Sequence, residues 1–221
     1  MRNVLCYGDS NTWGFDPATK QRFGHEVRWP GVLQHELGDG WRVIEEGLNG
    51  RTTAWTDPIV EYRNGKHLLM PTLDSHKPLD LVIVMLGTND CKLKFSAPSC
   101  EIAKGMSALV EIAQKSGTGV AEGPPEVLIV SPPLIANLTE FAEIFEGAEK
   151  KSERLPEFYR AVAAERKCHF FEAGSVIRTS PLDGVHFDAA EHKRLGVAMA
   201  EQVRRAFQTP DVDAHGKRAD H

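Results

Sequence analysis

The sequence has no long hydrophobic run and no large excess of charge of either sign. Its first apolar run, Val4-Leu5-Cys6-Tyr7, is far too short for the core of a signal peptide. No run approaches the roughly 18 apolar residues of a membrane span. The formal net charge of -5 comes without a basic patch, so we expect no nucleic-acid partner. Together these absences predict a cytoplasmic protein without a membrane partner.

Cysteine is scarce, and no CxxC pair is present. Because isolated cysteines in apolar segments are usually buried thiols, we interpret all of them as free, not as disulfides or metal ligands. The sequence therefore suggests neither a metal nor a cofactor. The four cysteines are Cys6, Cys91, Cys100 and Cys168.

Short apolar segments alternate with longer amphipathic ones along the chain. Strands are predicted at 3–7, 41–45, 79–86, 127–131 and 168–172. The third is almost continuously apolar, as expected for a central parallel strand that is covered on both faces. Strands that alternate with helices are typical of an α/β fold with a parallel sheet.

Helical spacing of apolar residues predicts the segments between the strands. A short helix follows Pro30, a second begins near Pro98, and a third begins near Phe141 and continues to Val162, with a break before Pro156. The last helix ends near Ala206 and begins with a capping box. That box is formed by Asp188 and Glu191. We predict one domain over 1–208 and a polar, disordered tail over 209–221.

Polar clusters follow several of the predicted strands. In open parallel sheets the ligand crevice lies outside the carboxyl ends of the strands, so these clusters should meet at one edge. This convergence is stronger evidence for a site than any single motif. The clusters are Gly8-Asp9-Ser10-Asn11, Gly47-Leu48-Asn49-Gly50-Arg51, Gly87-Thr88-Asn89-Asp90 and Asp183-Gly184-Val185-His186.

Each cluster offers a group that acyl transfer requires. Ser10 is the candidate nucleophile, and His186 is its candidate general base. Asp183, three residues earlier, could orient the imidazole. The backbone N–H groups of Ser10 and Gly50 and the side-chain amide of Asn89 could stabilise the oxyanion.

These blocks, in this order, resemble those of the SGNH (GDSL-type) hydrolases over nearly the whole chain. Further stretches are similar to the bacterial arylesterase/acyltransferase subgroup. These stretches are Val27-Arg28-Trp29, Val43-Ile44-Glu45-Glu46-Gly47-Leu48, Arg51-Thr52-Thr53, Ile83-Val84-Met85-Leu86, Ile144-Phe145-Glu146-Gly147 and Ala173-Gly174-Ser175-Val176-Ile177.

The resemblance implies a flavodoxin-like three-layer α/β/α sandwich with a five-stranded parallel sheet. It implies hydrolysis of short-chain carboxylic esters, including aryl esters, and acyl transfer to alcohols or hydrogen peroxide. It also implies dimer-based homo-oligomers, including octamers. Segments 11–30 and 57–71 should line the pocket, with Trp13 and Phe15 as its hydrophobic contacts. Arg51 would either contact the substrate or pair with a carboxylate.

Two other functions remain open on sequence grounds. A metal-dependent phosphoesterase could use Asp9, Asn89, Asp90 and His186 as ligands. Against it, the chain lacks further histidine-bearing loops for a two-metal site. A non-catalytic binding module on the same fold is the second alternative. For Asp9 and Asp90 we favour a role in capping turns and orienting loops over direct catalysis.

Overall fold

The computed structural model describes residues 1–208, and the predicted tail lies outside the described residues. Its centre is one five-stranded sheet in the order β2-β1-β3-β4-β5, and every neighbouring pair runs parallel. The predicted α/β fold with a five-stranded parallel sheet is therefore confirmed. The strands are β1 (Arg2–Gly8), β2 (Trp41–Gly47), β3 (Leu81–Met85), β4 (Glu126–Ser131) and β5 (His169–Glu172).

All five residues of the middle strand β3 are buried, which explains its uninterrupted apolar sequence. This strand is shorter than the predicted segment 79–86. Leu79 makes only an isolated bridge to Gly119, and the carboxylate of Asp80 accepts a hydrogen bond from the Asn3 N–H at 2.7 Å. The apolar segment therefore begins before the regular pairing of β3, which starts at Leu81.

Helices cover both faces of the sheet and complete three layers. Helices α2 and α6 bury Trp29, Leu33 and Met199 against one face. Helices α3, α4 and α5 cover the other face, where Leu73 and Met106 are fully buried. The helices are α1 (Ser10–Trp13), α2 (Trp29–Leu37), α3 (Gly65–His76), α4 (Ser99–Lys115), α5 (Ala148–Arg166) and α6 (Ala189–Ala206).

Three details of the predicted helices are wrong. The helix expected from Phe141 is a series of turns, and α5 begins only at Ala148, after Gly147 with a φ of 74°. Helix α5 then continues through Pro156 without the expected break. Asp188 does precede α6, but its side chain makes no capping bond.

Glu191, the second residue of the expected capping box, bonds to other partners. The Glu191 carboxylate accepts a hydrogen bond from the Arg178 N–H at 3.0 Å and also pairs with Arg194. Because this carboxylate ties the preceding loop to α6, it does not fold back onto the first turn of the helix.

No helix within residues 1–208 combines the length and the apolar character needed to cross a membrane.

Candidate active site

The polar clusters meet at the carboxyl edge of the sheet, around a cavity of about 170 Å³. Ser10 lies just beyond β1 and Asn89 just beyond β3, while His186 comes from the loop between β5 and α6. The residues that line the cavity are Ser10, Phe15, Asn49, Gly50, Asn89, Lys92, Phe141, Ile144, Phe145, Val185 and His186.

Ser10 is the first residue of α1, a single helical turn directly after β1. The Asp9 carboxylate caps this turn by accepting a hydrogen bond from the Asn11 N–H at 2.9 Å. The Asn11 amide in turn donates to the carbonyl of Val185 at 3.2 Å. Local capping thus sets the position of Ser10, and Asn11 ties its turn to the loop that carries His186.

Ser10, His186 and Asp183 form a continuous hydrogen-bonded chain. The Ser10 Oγ lies 3.0 Å from Nε2 of His186, and Nδ1 of His186 lies 2.7 Å from Oδ2 of Asp183. Both distances are within the range over which a base can take a proton from a hydroxyl group and be oriented by a carboxylate. The three side chains are buried, Asp183 completely.

The loop before α6 holds the Asp183 carboxylate rigidly. Its Oδ1 accepts hydrogen bonds from the N–H groups of Val185 and His186, both at 2.9 Å. Burial alone would raise the pKa of Asp183, but the bonds from the side chain and backbone of His186 outweigh it and lower the pKa. The carboxylate therefore stays ionised opposite the imidazole.

Two phenylalanine rings enclose the imidazole of His186. The ring of Phe15 lies 4.3 Å from it between centroids, and that of Phe141 lies 5.9 Å away in an edge-on arrangement. These rings restrict the imidazole to one orientation and exclude water from its faces.

The potential oxyanion donors Gly50 and Asn89 lie just beyond the ends of β2 and β3, the two strands that flank β1. Gly50 has a φ of 81°, a conformation that side-chain-bearing residues rarely adopt. Among the described residues, neither its N–H nor that of Ser10 donates to a protein acceptor. The Asn89 amide donates to the Arg51 carbonyl at 3.1 Å and, in a longer bond, to Oδ2 of Asp9 at 3.4 Å. Because the bond to Asp9 is long and therefore weak, its hydrogen is the one that could turn to an oxyanion.

Asp9 and Asp90 are buried behind these donors. Burial raises the pKa of each to about 6, although hydrogen bonds from Asn11 and Thr53, respectively, act in the opposite direction. The Asp90 carboxylate accepts from the N–H of Thr53 at 3.0 Å and from its hydroxyl at 2.5 Å. Both carboxylates therefore brace loops, and within residues 1–208 no three potential ligands gather as a metal site would require.

Three expected pocket contacts lie elsewhere. Trp13 does not line the cavity, because its ring packs against the guanidinium of Arg22, 5.1 Å from the ring centroid. Arg51 is buried beneath the site, where it donates to the carbonyls of Gly8 and Glu46 and lies over the Tyr7 ring. No residue of segment 57–71 reaches the cavity, since from Gly65 onward this segment is part of α3.

Several wall residues were missed on sequence grounds. Phe141, Ile144 and Phe145 have a spacing that predicts a helix, yet they form the apolar side of the cavity. The similarity of Ile144-Phe145-Glu146-Gly147 to the arylesterase subgroup was the available signal. Lys92, three residues after Asn89, had no such signal.

Comparisons with known proteins agree with this geometry. The profile of the GDSL-like Lipase/Acylhydrolase family matches residues 6–194. The inhibitor-bound aryl esterase of M. smegmatis is 47% identical, with a TM-score of 0.90 over 94% of this chain and 100% of that chain. Est24, a carbohydrate acetylesterase from Sinorhizobium meliloti, is 44% identical, with a TM-score of 0.91 over 94% and 100%. The search of curated proteins found no match.

Proposed function

Because the chain belongs to the GDSL-like lipase/acylhydrolase family, we propose that it is a serine esterase that hydrolyses short-chain carboxylic esters, including aryl esters. The observation that carries this proposal is the hydrogen-bonded chain from Ser10 Oγ through His186 to Asp183. A cavity of about 170 Å³ supports small acyl groups. Neither the phosphoesterase nor the binding module is favoured.

In the proposed mechanism, Ser10 Oγ attacks the ester carbonyl while Nε2 of His186 takes the hydroxyl proton. Asp183 stabilises the imidazolium that forms. The N–H groups of Ser10 and Gly50 and the Asn89 amide bind the oxyanion of the tetrahedral intermediate. The carbon–oxygen bond to the alcohol then breaks, and His186 returns the proton to the departing alcohol.

The acyl-enzyme ester on Ser10 is resolved by a second nucleophile. Water, activated by His186, gives the carboxylic acid and regenerates the hydroxyl of Ser10. The apolar wall of Phe15, Phe141 and Phe145 favours an alcohol over water as the acceptor. We therefore propose that the enzyme also transfers acyl groups to alcohols. For transfer to hydrogen peroxide, which is itself polar, the support is the resemblance to the arylesterase/acyltransferase subgroup.

We further propose a homo-oligomer in which a second copy covers the rim of the cavity. Ile144, which lines the cavity, is 47% exposed, and so is Leu93, whose N–H donates to the Ile144 carbonyl. Two adjacent exposed apolar side chains at a site entrance are suited to a contact between copies. Sedimentation analysis of the wild type and of Leu93→Glu tests this.

The four cysteines are free thiols, which supports a reducing, cytoplasmic location.

The deciding experiment labels the nucleophile with a fluorophosphonate and screens p-nitrophenyl esters of increasing acyl length. We expect one adduct on the Ser10 peptide, and a rate that falls as the acyl chain lengthens. Ser10→Ala should abolish both labelling and turnover. Ser131→Ala is the matched control, because Ser131 is also a buried serine at the end of a strand but has no histidine partner among the described residues. Labelling that survives Ser10→Ala would exclude Ser10 as the nucleophile.

A further inference from the structure

Lys92 places a positive charge in a cavity whose wall is otherwise almost neutral. Among the lining residues it is the only lysine, arginine, aspartate or glutamate. Lys92 directly follows Asn89–Cys91, a 3-10 helix of one turn, and its N–H donates to the carbonyl of Asn89 at 3.2 Å. The turn that carries a candidate oxyanion donor therefore also fixes where the lysine enters the cavity.

The carboxylates near Lys92 already have other partners. Asp57 pairs with Lys94, and Asp9 caps the turn that begins with Ser10. Within residues 1–208, no carboxylate lies within 4.0 Å of the Lys92 ammonium, which lies 5.5 Å from the centroid of the Phe145 ring. An aromatic face compensates only part of the hydration that the ammonium loses in the cavity.

The surroundings of Lys92 make an anionic ligand favourable. Burial lowers the pKa of Lys92, the charge of Lys94 lowers it further, and the carboxylates of Asp57, Asp9 and Asp90 act in the opposite direction. An ammonium that has lost part of its water gains most from an acceptor that carries a negative charge.

We propose that Lys92 makes the site selective for esters that carry a carboxylate close to the ester bond. This inference rests on the proposed esterase function and names its substrate class. The small cavity requires the carboxylate to lie within a few bonds of the scissile carbonyl. It can belong to the acyl part or to the alcohol part of the ester, because the same ion pair forms in either case.

The test compares charged and neutral esters in two pairs. The alcohol arm uses 3-acetoxybenzoate and phenyl acetate, and the acyl arm uses monoethyl succinate and ethyl butyrate. For each pair, the charged-to-neutral ratio of kcat/KM is measured in the wild type, Lys92→Met, Lys92→Gln and Lys92→Arg. In at least one arm, Lys92→Met and Lys92→Gln should lower this ratio by about tenfold or more. A tenfold change corresponds to the lower end of the free-energy range for a hydrogen bond to a charged group. Lys92→Arg should keep most of the ratio, and the arm that responds identifies the part of the ester that carries the charge.

Lys94→Met is the matched control, since it removes a positive charge two residues away that pairs with Asp57. Its ratio should stay close to that of the wild type. Unchanged ratios in both neutral Lys92 variants would overturn the proposal. An equal fall in Lys94→Met would do the same, because the effect would then come from the general field. A wild type that hydrolyses neither phenyl acetate nor ethyl butyrate would refute the esterase function itself, and this inference with it.

Discussion

The two oxygens of Asp183 divide their work between the backbone and the imidazole of His186. Oδ1 accepts the N–H groups of Val185 and His186, and Oδ2 lies 2.7 Å from Nδ1 of His186. The same carboxylate therefore shapes the loop and favours the His186 tautomer with its proton on Nδ1, which leaves Nε2 able to accept the Ser10 hydroxyl proton, as the proposed mechanism requires. This explains how two residues only three positions apart can both serve the proposed proton transfer.

Asp183→Asn should separate these two tasks. An amide cannot stabilise the imidazolium, so kcat for p-nitrophenyl acetate should fall by about three to four orders of magnitude, as when the aspartate of other triads is replaced. Asp188→Asn is the matched control, because the Asp188 side chain makes no capping bond in the same loop. Steady-state kinetics and circular dichroism together check the outcome. Wild-type kinetics in Asp183→Asn would mean that another carboxylate orients His186.

Asn89→Ala should mainly lower kcat. Loss of one oxyanion donor removes stabilisation that exists only in the transition state, so we expect a loss of about 10²–10³-fold in kcat with little change in KM. Thermal unfolding serves as the control, since Asn89 also donates to the Arg51 carbonyl and faces Asp9. A rise in KM at unchanged kcat would assign Asn89 to substrate binding instead.

The sequence was most informative where one element determines the structure by itself. The apolar run of β3 predicts a central buried strand, and the glycine- and asparagine-containing clusters predict where strands end. Parallel pairing then brings those ends to one edge. Ser10, Asp183 and His186 were predicted to meet for this reason, and the structure places them within hydrogen-bonding distance.

The cavity wall could not be predicted in the same way, because it depends on contacts between distant segments. Phe141 has helical spacing with Phe145, yet its ring packs edge-on against His186, which is 45 positions later in the numbering. Trp13 is only three positions after Ser10, yet its ring packs against Arg22 outside the cavity. The local spacing of apolar residues does not indicate which side chain faces a site and which faces the core.

Asp90 should make stability depend on pH in an unusual direction. Burial raises its pKa from an ordinary 3.8 to about 6, so between these values the folded state binds more protons than the unfolded state. Stability due to this group is therefore present at low pH and is lost as the pH rises through 6. Relative to Asp90→Asn, the wild type should lose about 2 kcal/mol of unfolding free energy between pH 4.5 and 7.5.

Urea unfolding of both proteins at the two pH values measures this difference. Asp9, whose pKa is also raised to about 6, is present in both proteins, so its own contribution largely cancels. The change with pH is the quantity compared, because Asp90→Asn also weakens the bonds to Thr53 at every pH. A wild type that gains stability relative to the variant as the pH rises would show that Asp90 is ionised in the folded state well below pH 6.

Gly87 and Tyr159 should be energetically coupled at the end of β3. A Cβ on Gly87 would lie 2.4 Å from the Tyr159 hydroxyl, which donates to the Leu86 carbonyl at 3.0 Å. Gly87→Ala should therefore cost about 2–4 kcal/mol, from backbone strain at a φ of 121° and from overpacking. Tyr159→Phe removes the clashing oxygen but leaves the Leu86 carbonyl without that donor, at a cost of about 1–3 kcal/mol.

The double variant Gly87→Ala/Tyr159→Phe should lose at least about 1 kcal/mol less than the sum of the single losses, because the closest contact of the added methyl group, with the Tyr159 hydroxyl, is gone. Gly147→Ala supplies the control, since Gly147 has a φ of 74° and no atom within 4 Å of its added Cβ. It isolates backbone strain, and its cost should add to that of Tyr159→Phe without coupling. Denaturant unfolding of all five variants measures both cycles. Strict additivity in the Gly87 cycle would mean that the backbone after β3 shifts to accommodate the methyl group, and that the hydroxyl of Tyr159 does not fix this turn.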